Sequence, residues 1–264
     1  MSWELAGLLV LGALAAWLAR YARRMKLLYR QRGLLFSYPI PKAHLHEISD
    51  RFRATSLGPT PAAEATIVGH GPIMAPGATT DTEAWVLAVL ARDARAMFEF
   101  GTATGRTTYG WARNSPPDAM IATLTLAPDQ HAAYRAATED GSRETRAALE
   151  ESRFDTFLYT GTDVAHKVTQ LFGDSKAFDE GPYEGTCDLV FVDGSHASSY
   201  VRSDSAKALR MVKPGGLVLW HDYTPLVPGV FTVLNELARE LPLVHLRGTA
   251  LVAYRRPPEG AGAA

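Results

Sequence analysis

The sequence is poor in cysteine: Cys187 is the only one in 264 residues. That excludes an intrachain disulfide framework and a cysteine-rich zinc site. Cys187 stands in an apolar, strand-like run and reads as a buried, inert thiol. An excess of charge is also lacking, with 27 Lys and Arg against 28 Asp and Glu. A general nucleic-acid binder shows a broad basic surface, so no nucleic-acid partner is expected. The dinucleotide fingerprint Gly-x-Gly-x-x-Gly is missing, which counts against a nicotinamide-dependent oxidoreductase. No positive charge precedes the N-terminal apolar run, as it would in a cleaved signal peptide. Low-complexity repeats are absent. What remains is 47% hydrophobic and 21% charged, the balance of a packed globular domain with appendages.

The first appendage is residues 1–32. From Trp3 to Ala19 the chain is apolar apart from Glu4, about 25 Å of helix at the short limit for crossing a bilayer. Arg20, Arg23, Arg24, Lys26, Arg30 and Arg32 follow without an acid. Positive charge on that side predicts a single-pass membrane anchor with the body of the protein in the cytoplasm. The alternative is an amphipathic or dimerising helix lying on a surface. A membrane and a second copy of the chain are therefore expected partners. Residues 33–79, rich in Pro and Gly, read as an irregular lead-in, and His44, His46 and His70 within it as structural. Residues 257–264 read as a disordered tail.

Residues 80–256 are orderly. Thr80 to Arg95 carries capping residues, then Trp85, Val86, Val89 and Leu90 at helical spacing. Seven strand candidates follow: Met97–Phe100, Met120–Leu126, Val168–Phe172, Leu189–Val192, Leu217–Trp220, Leu243–Leu246 and Ala250–Tyr254. Helical segments fall between most of them. This alternation predicts an α/β protein with a parallel sheet and helices on both faces. The short connection between the last two strands predicts an antiparallel hairpin.

Ligands of such sheets bind beyond the C-terminal strand ends. Polar residues collect there: Glu99 with Gly101, Thr102 and Gly105; Thr125; Asp174; Asp193 with His196; His221 with Asp222. Four motifs occur in order: Glu-x-Gly-Thr-x-Thr-Gly-Arg-Thr-Thr from Glu99, Phe-Val-Asp-Gly-x-His from Phe191, Lys-Pro-Gly-Gly from Lys213, and His-Asp-Tyr from His221. Over roughly residues 80–254 the chain resembles the class I S-adenosylmethionine-dependent methyltransferases.

The resemblance implies a Rossmann-like, seven-stranded, mostly parallel sheet with an antiparallel last strand. It implies S-adenosylmethionine as cofactor, with Glu99, Gly101, Thr102 and Gly105 at its methionine and ribose part and Asp174 at the adenine amino group. Asp174 also suits a helix N-cap. The family often ends its second strand in a ribose-binding acid; Thr125 stands there instead, with a weaker hydroxyl bond to offer. Asp193 is expected to contact the cofactor or to join Asp222 and His221 in holding Mg²⁺ or another divalent metal, as acids at these strand ends do in catechol and macrolide-sugar O-methyltransferases. His196 is the expected general base, with Asp193 and His221 as its catalytic companions. Tyr223 is expected to line the acceptor site and Trp220 to pack in the core or wall the pocket. The implied activity is O-methylation of a sugar, a lipid-linked or a small-molecule hydroxyl. A catalytically degenerate fold used as a membrane-tethered interaction module is the alternative.

Overall fold

The computed structural model describes residues 3–31, 38–71 and 79–260. The remainder of the lead-in (32–37 and 72–78) and of the tail (261–264) lies outside the described residues. The chain divides into two units. The first is built around α1 (Trp3–Gln31), a continuous helix on which Leu11, Leu14, Trp17, Leu18 and Tyr21 are exposed. Trp17 and Tyr21 stack, 5.7 Å between ring centroids. Among the described residues no helix is long and apolar enough to cross a membrane. The single-pass anchor read from the sequence is corrected accordingly. Its apolar run falls short of a hydrocarbon core about 30 Å thick, and the same helix runs straight on into Arg20, Arg23, Arg24 and Lys26.

The second unit begins at Ile40. In chain order it contains β1 (Lys42–Ala43), α2 (Leu45–Ile48), β2 (Ala54–Thr55), β3 (Gly58–Pro59), α3 (Asp81–Ala91), β4 (Ala96–Phe100), α4 (Arg106–Asn114), β5 (Met120–Thr125), α5 (Ser142–Glu151) and β6 (Val168–Phe172). Then come β7 (Cys187–Val192), α6 (Ser198–Met211), β8 (Val212–Trp220), α7 (Pro228–Leu237), β9 (Val244–Leu246) and β10 (Val252–Arg255). The main sheet runs β1-β9-β10-β8-β7-β4-β5-β6. β6, β5, β4, β7 and β8 are parallel, and β10 lies antiparallel between β8 and β9. The predicted hairpin is present.

The sheet has eight strands rather than seven. Lys42–Ala43 pairs in parallel with β9, extended by His245 N–H to Pro41 O (2.8 Å) and Arg247 N–H to Ala43 O (3.0 Å). The lead-in is therefore partly structural, and it covers an edge that would otherwise present unpaired backbone groups.

β4 starts the fold's reversal. The chain steps from β4 through α4 to β5 on one side, then returns to place β7 on the other side of β4. Right-handed crossovers in opposite directions put α4 and α6 on opposite faces. Phe98, Phe100, Trp111, Phe191 and Leu219 are all 1% exposed or less between them. Cys187 begins β7 at 1% exposure, and burial pushes its thiol up to about 11.

Candidate active site

Register sets the site. Phe100 pairs with Val192 and Val192 with Trp220, so Gly101, Asp193 and His221 leave three adjacent parallel strands at one level. They emerge at the reversal point, where a cavity opens. Gly101, Ala103, Thr125, Asp174, Asp193, His196 and Asp222 line it, joined by Glu151 from the end of α5.

The glycines of the first loop serve the fold before any ligand. Gly101 has φ +96°, and a Cβ there would sit 2.1 Å from Asp193 O. Its loop lies directly on the turn after β7, tied by Asp193 N–H to Phe100 O at 2.9 Å. Gly105, at φ +78°, makes room for Tyr159 and Phe157 and does not line the cavity. Thr102 points inward, its hydroxyl 2.7 Å from Thr123 Oγ1. Glu99 lies beneath the loop at 1% exposure, bonded by the hydroxyls of Thr108 and Thr123. Burial raises its carboxyl to about 8, with the hydroxyls offsetting part of the rise. Of the four residues expected at the methionine and ribose end, only Gly101 lines the cavity; the others shape the loop.

His221 has both ring nitrogens engaged. Nδ1 is 2.9 Å from Asp193 Oδ1 and Nε2 is 3.3 Å from Glu83 Oε2. Burial opposes an imidazolium there, but Asp193 and Asp222 outweigh it and hold the pKa well above the ordinary value. A histidine bracketed in this way has no lone pair for a metal. Burial likewise raises Asp193, while Asp222 is lowered because His221 and His196 outweigh its desolvation. Asp222 adopts φ +57°, a left-handed conformation that Asp tolerates. This sets its carboxylate 2.9 Å from His196 Nε2.

The donors that converge are Asp193, His196 and Asp222, with one ligand atom each inside a 4.8 Å circle. His196 thus takes the place in the metal set that the sequence suggested for His221. Two carboxylate oxygens and one imidazole suit a divalent transition ion, or Mg²⁺ through the oxygens.

Burial opposes the charge on His196 too, yet Asp222 and nearby Glu151 and Asp193 push its pKa up to about 9. In metal-free protein, NMR titration of the His196 ring should show a midpoint near pH 9, shifting down by at least two units in Asp222→Asn. A wild-type midpoint below pH 7 would contradict the pairing. Since the folded-state pKa is the raised one, the pair's stabilisation is full below about pH 6.5 and fades as pH climbs through 9.

Tyr223 does not line the cavity: it is buried, with its hydroxyl donating to Asn235 Oδ1 at 2.6 Å. Trp220 packs in the core, Nε1 donating to Ser205 Oγ at 2.8 Å. Asp129 is exposed and does not line the cavity. His70 bonds Thr79 O and His245 bonds Thr249 O, as structural histidines do.

Sequence reasoning missed Glu83, Glu151 and Asp204. Glu83 announces itself only as the third helical residue of a capping box on Thr80. Burial would raise its carboxyl, but His221 and the N–H groups of Ala250 and Thr80 prevail and draw it down to about 2. Glu151 ends a polar helix and carries no sequence signal; burial near Asp193 and Asp222 raises it to about 6, with His196 opposing.

A family model described as a methyltransferase domain matches residues 98–223. Among solved structures, an O-methyltransferase from Streptomyces achromogenes, involved in tomaymycin synthesis and in complex with S-adenosylmethionine, is 20% identical; the match covers 68% of this chain and 82% of that one, with a TM-score of 0.47. A methyltransferase from Podospora anserina bound to S-adenosylhomocysteine is 18% identical over 69% and 81% of the two chains, TM-score 0.47. An O-methyltransferase from Bacillus cereus in complex with S-adenosylhomocysteine is also 18% identical, over 69% and 84%, TM-score 0.44. No curated protein sequence matches the chain. The matched span runs from β4 through His221-Asp222-Tyr223 and encloses the loop cluster around the cavity; over that span the chain is similar to methyltransferase domains.

Proposed function

We propose that this chain is a methyltransferase acting on oxygen: it moves the methyl group of S-adenosylmethionine to a hydroxyl of a sugar, a lipid-linked or a small-molecule acceptor. The observation that carries this reading is the His196–Asp222 pair beside Asp193 in the cavity that Asp174, Thr125 and the Gly101 loop also line. A hydroxyl must shed a proton as it attacks, so a base belongs at this wall. The acceptor oxygen bonds the methyl carbon while the carbon–sulfur bond breaks. The bond's electron pair stays on sulfur, leaving neutral S-adenosylhomocysteine. Asp222 orients His196 through Nε2, which leaves Nδ1 to take the proton. That requires neutral His196, so metal-free transfer should rise with pH up to about 9. A divalent cation held by Asp193, His196 and Asp222 would supply acidity to a bound hydroxyl.

Calorimetry tests the cofactor, with and without Mg²⁺ and with chelator. Micromolar S-adenosylmethionine binding is expected, weakened about 10-fold or more in Asp174→Ala, which removes an acceptor for the adenine amino group. Release of S-adenosylhomocysteine with phenolic, sugar and polyprenyl-linked hydroxyl acceptors tests the reaction. Binding without turnover on any of them would favour a non-catalytic, interaction-module role. No binding at millimolar cofactor in folded protein would defeat the enzyme reading.

A further inference from the structure

Two carboxylate oxygens of cavity-lining residues have no hydrogen-bond partner among the described residues. One is Oδ2 of Asp174, a residue 6% exposed whose Oδ1 accepts Lys176 N–H at 3.1 Å. The other is Oδ1 of Asp204, on α6 and 1% exposed. Asp204 reaches the cavity beside the turn after β7, where a Cβ on Gly194 would stand 3.6 Å from its Oδ2. Leaving such an oxygen buried and unpaired is costly, so its persistence points to a donor that arrives with a ligand. The surrounding cations are spoken for: Lys207 Nζ donates to the carbonyls of Lys176 and Phe178, and Lys176 Nζ to Arg135 O and Ser199 Oγ at 2.6 Å each. Burial raises the Asp204 carboxyl to about 7; the Ser175 hydroxyl and Lys207 oppose the rise and Asp174 adds to it. A neutral N–H donor fits this corner better than a second anion.

Adenine offers what the two oxygens lack. Its exocyclic amino group has two N–H bonds, and a single carboxylate oxygen accepts one of them well. We propose that Asp204 is a specificity-determining residue for the cofactor, taking one N–H of the adenine amino group while Asp174 takes the other. This rests on the S-adenosylmethionine reading above. It makes the site selective for an unsubstituted amino group rather than for a purine in general.

The test uses the full chain at pH 8, where Asp204 is ionised, and compares S-adenosylhomocysteine with its N6-methyl analogue. Wild-type protein should bind the N6-methyl analogue about 10-fold or more weakly, because one N–H is gone and a methyl group meets a carboxylate. Asp204→Ala should weaken S-adenosylhomocysteine binding by about 10- to 100-fold and bring the ratio of the two ligands close to one. Asp204→Asn, which keeps an acceptor oxygen and the side chain's shape, should recover most of the affinity. It also keeps the comparison possible if the alanine variant does not fold. Equal wild-type binding of the two ligands, or an Asp204→Ala protein with unchanged affinity and discrimination, would overturn the inference alone. Failure of wild-type protein to bind S-adenosylhomocysteine at all would strike the cofactor reading itself.

Discussion

Glu83→Ala should destabilise the protein by about 3–5 kcal/mol, the cost of stripping one partner from a buried ion pair. Glu83 is 3% exposed and His221 8%. Its Oε2 meets His221 Nε2 at 3.3 Å and accepts Thr80 N–H and Thr80 O–H at 2.8 Å each, while Oε1 accepts Ala250 N–H at 2.6 Å. Truncation leaves an imidazolium short of one counter-charge and two N–H groups without acceptors. Urea denaturation followed by circular dichroism reads the loss directly. Glu83→Gln keeps an acceptor for the N–H groups and should lose less. The pH dependence gives a second reading. Glu83's folded-state value lies near 2, below that of a free glutamate, so its stabilisation is present above about pH 4.5 and is lost as pH falls through 2. The shift corresponds to roughly 3 kcal/mol. A loss under about 1 kcal/mol in Glu83→Ala would show that His221 does not depend on this carboxylate.

Gly101→Ala should cost at least about 4 kcal/mol and remove cofactor binding with it. The added carbon would meet Asp193 O at 2.1 Å, Asp193 C at 2.6 Å and Gly194 Cα at 2.7 Å, all backbone, at a φ of +96° that alanine avoids. Relief requires the loops after β4 and β7 to part, and both loops line the cavity. Gly110→Ala is the control. Gly110 lies within α4 with nothing inside 4 Å of the added carbon, so this change should be neutral or stabilise by up to about 1 kcal/mol. Thermal melts of the two variants, with cofactor titrations on whatever remains folded, separate the cases. A Gly101→Ala protein that melts like wild type would mean the loops part freely.

Much of this architecture was legible in the residues. The apolar runs that became β4 to β8 are bounded by turn residues, and polar side chains gather where those runs end. β1 was not legible, because two residues show no periodicity and their partner β9 lies some two hundred positions away. The polar residues at the strand ends are legible as a cluster, and several of them line one cavity; the part each side chain plays is less legible. His221 and Asp222 are adjacent in sequence, which invites one role for both. Successive side chains of a strand point to opposite sides, and the left-handed turn at Asp222 redirects its carboxylate to His196. Glu83 looked like a helix cap because it is one; its second duty depends on a residue 138 positions on. Thr102 reads as a ligand contact by motif, yet faces Thr123 and Gln170 in the interior.

The solitary thiol of Cys187 gives the molecule a clock. It sits at the start of the sheet's central β7, its Sγ 3.9 Å from Thr186 Oγ1 and the thiolate disfavoured near neutrality. No second cysteine competes for reagent, so alkylation under native conditions has one target and must wait for β7 to be uncovered. When reclosing outpaces alkylation, the rate of label uptake measures the free energy of that opening without any denaturant. A cofactor that grips the loops beyond β4 and β7 should slow the clock by the factor its binding adds to stability. Occupancy of the site then becomes readable by mass spectrometry from a sulfur atom that never touches the ligand.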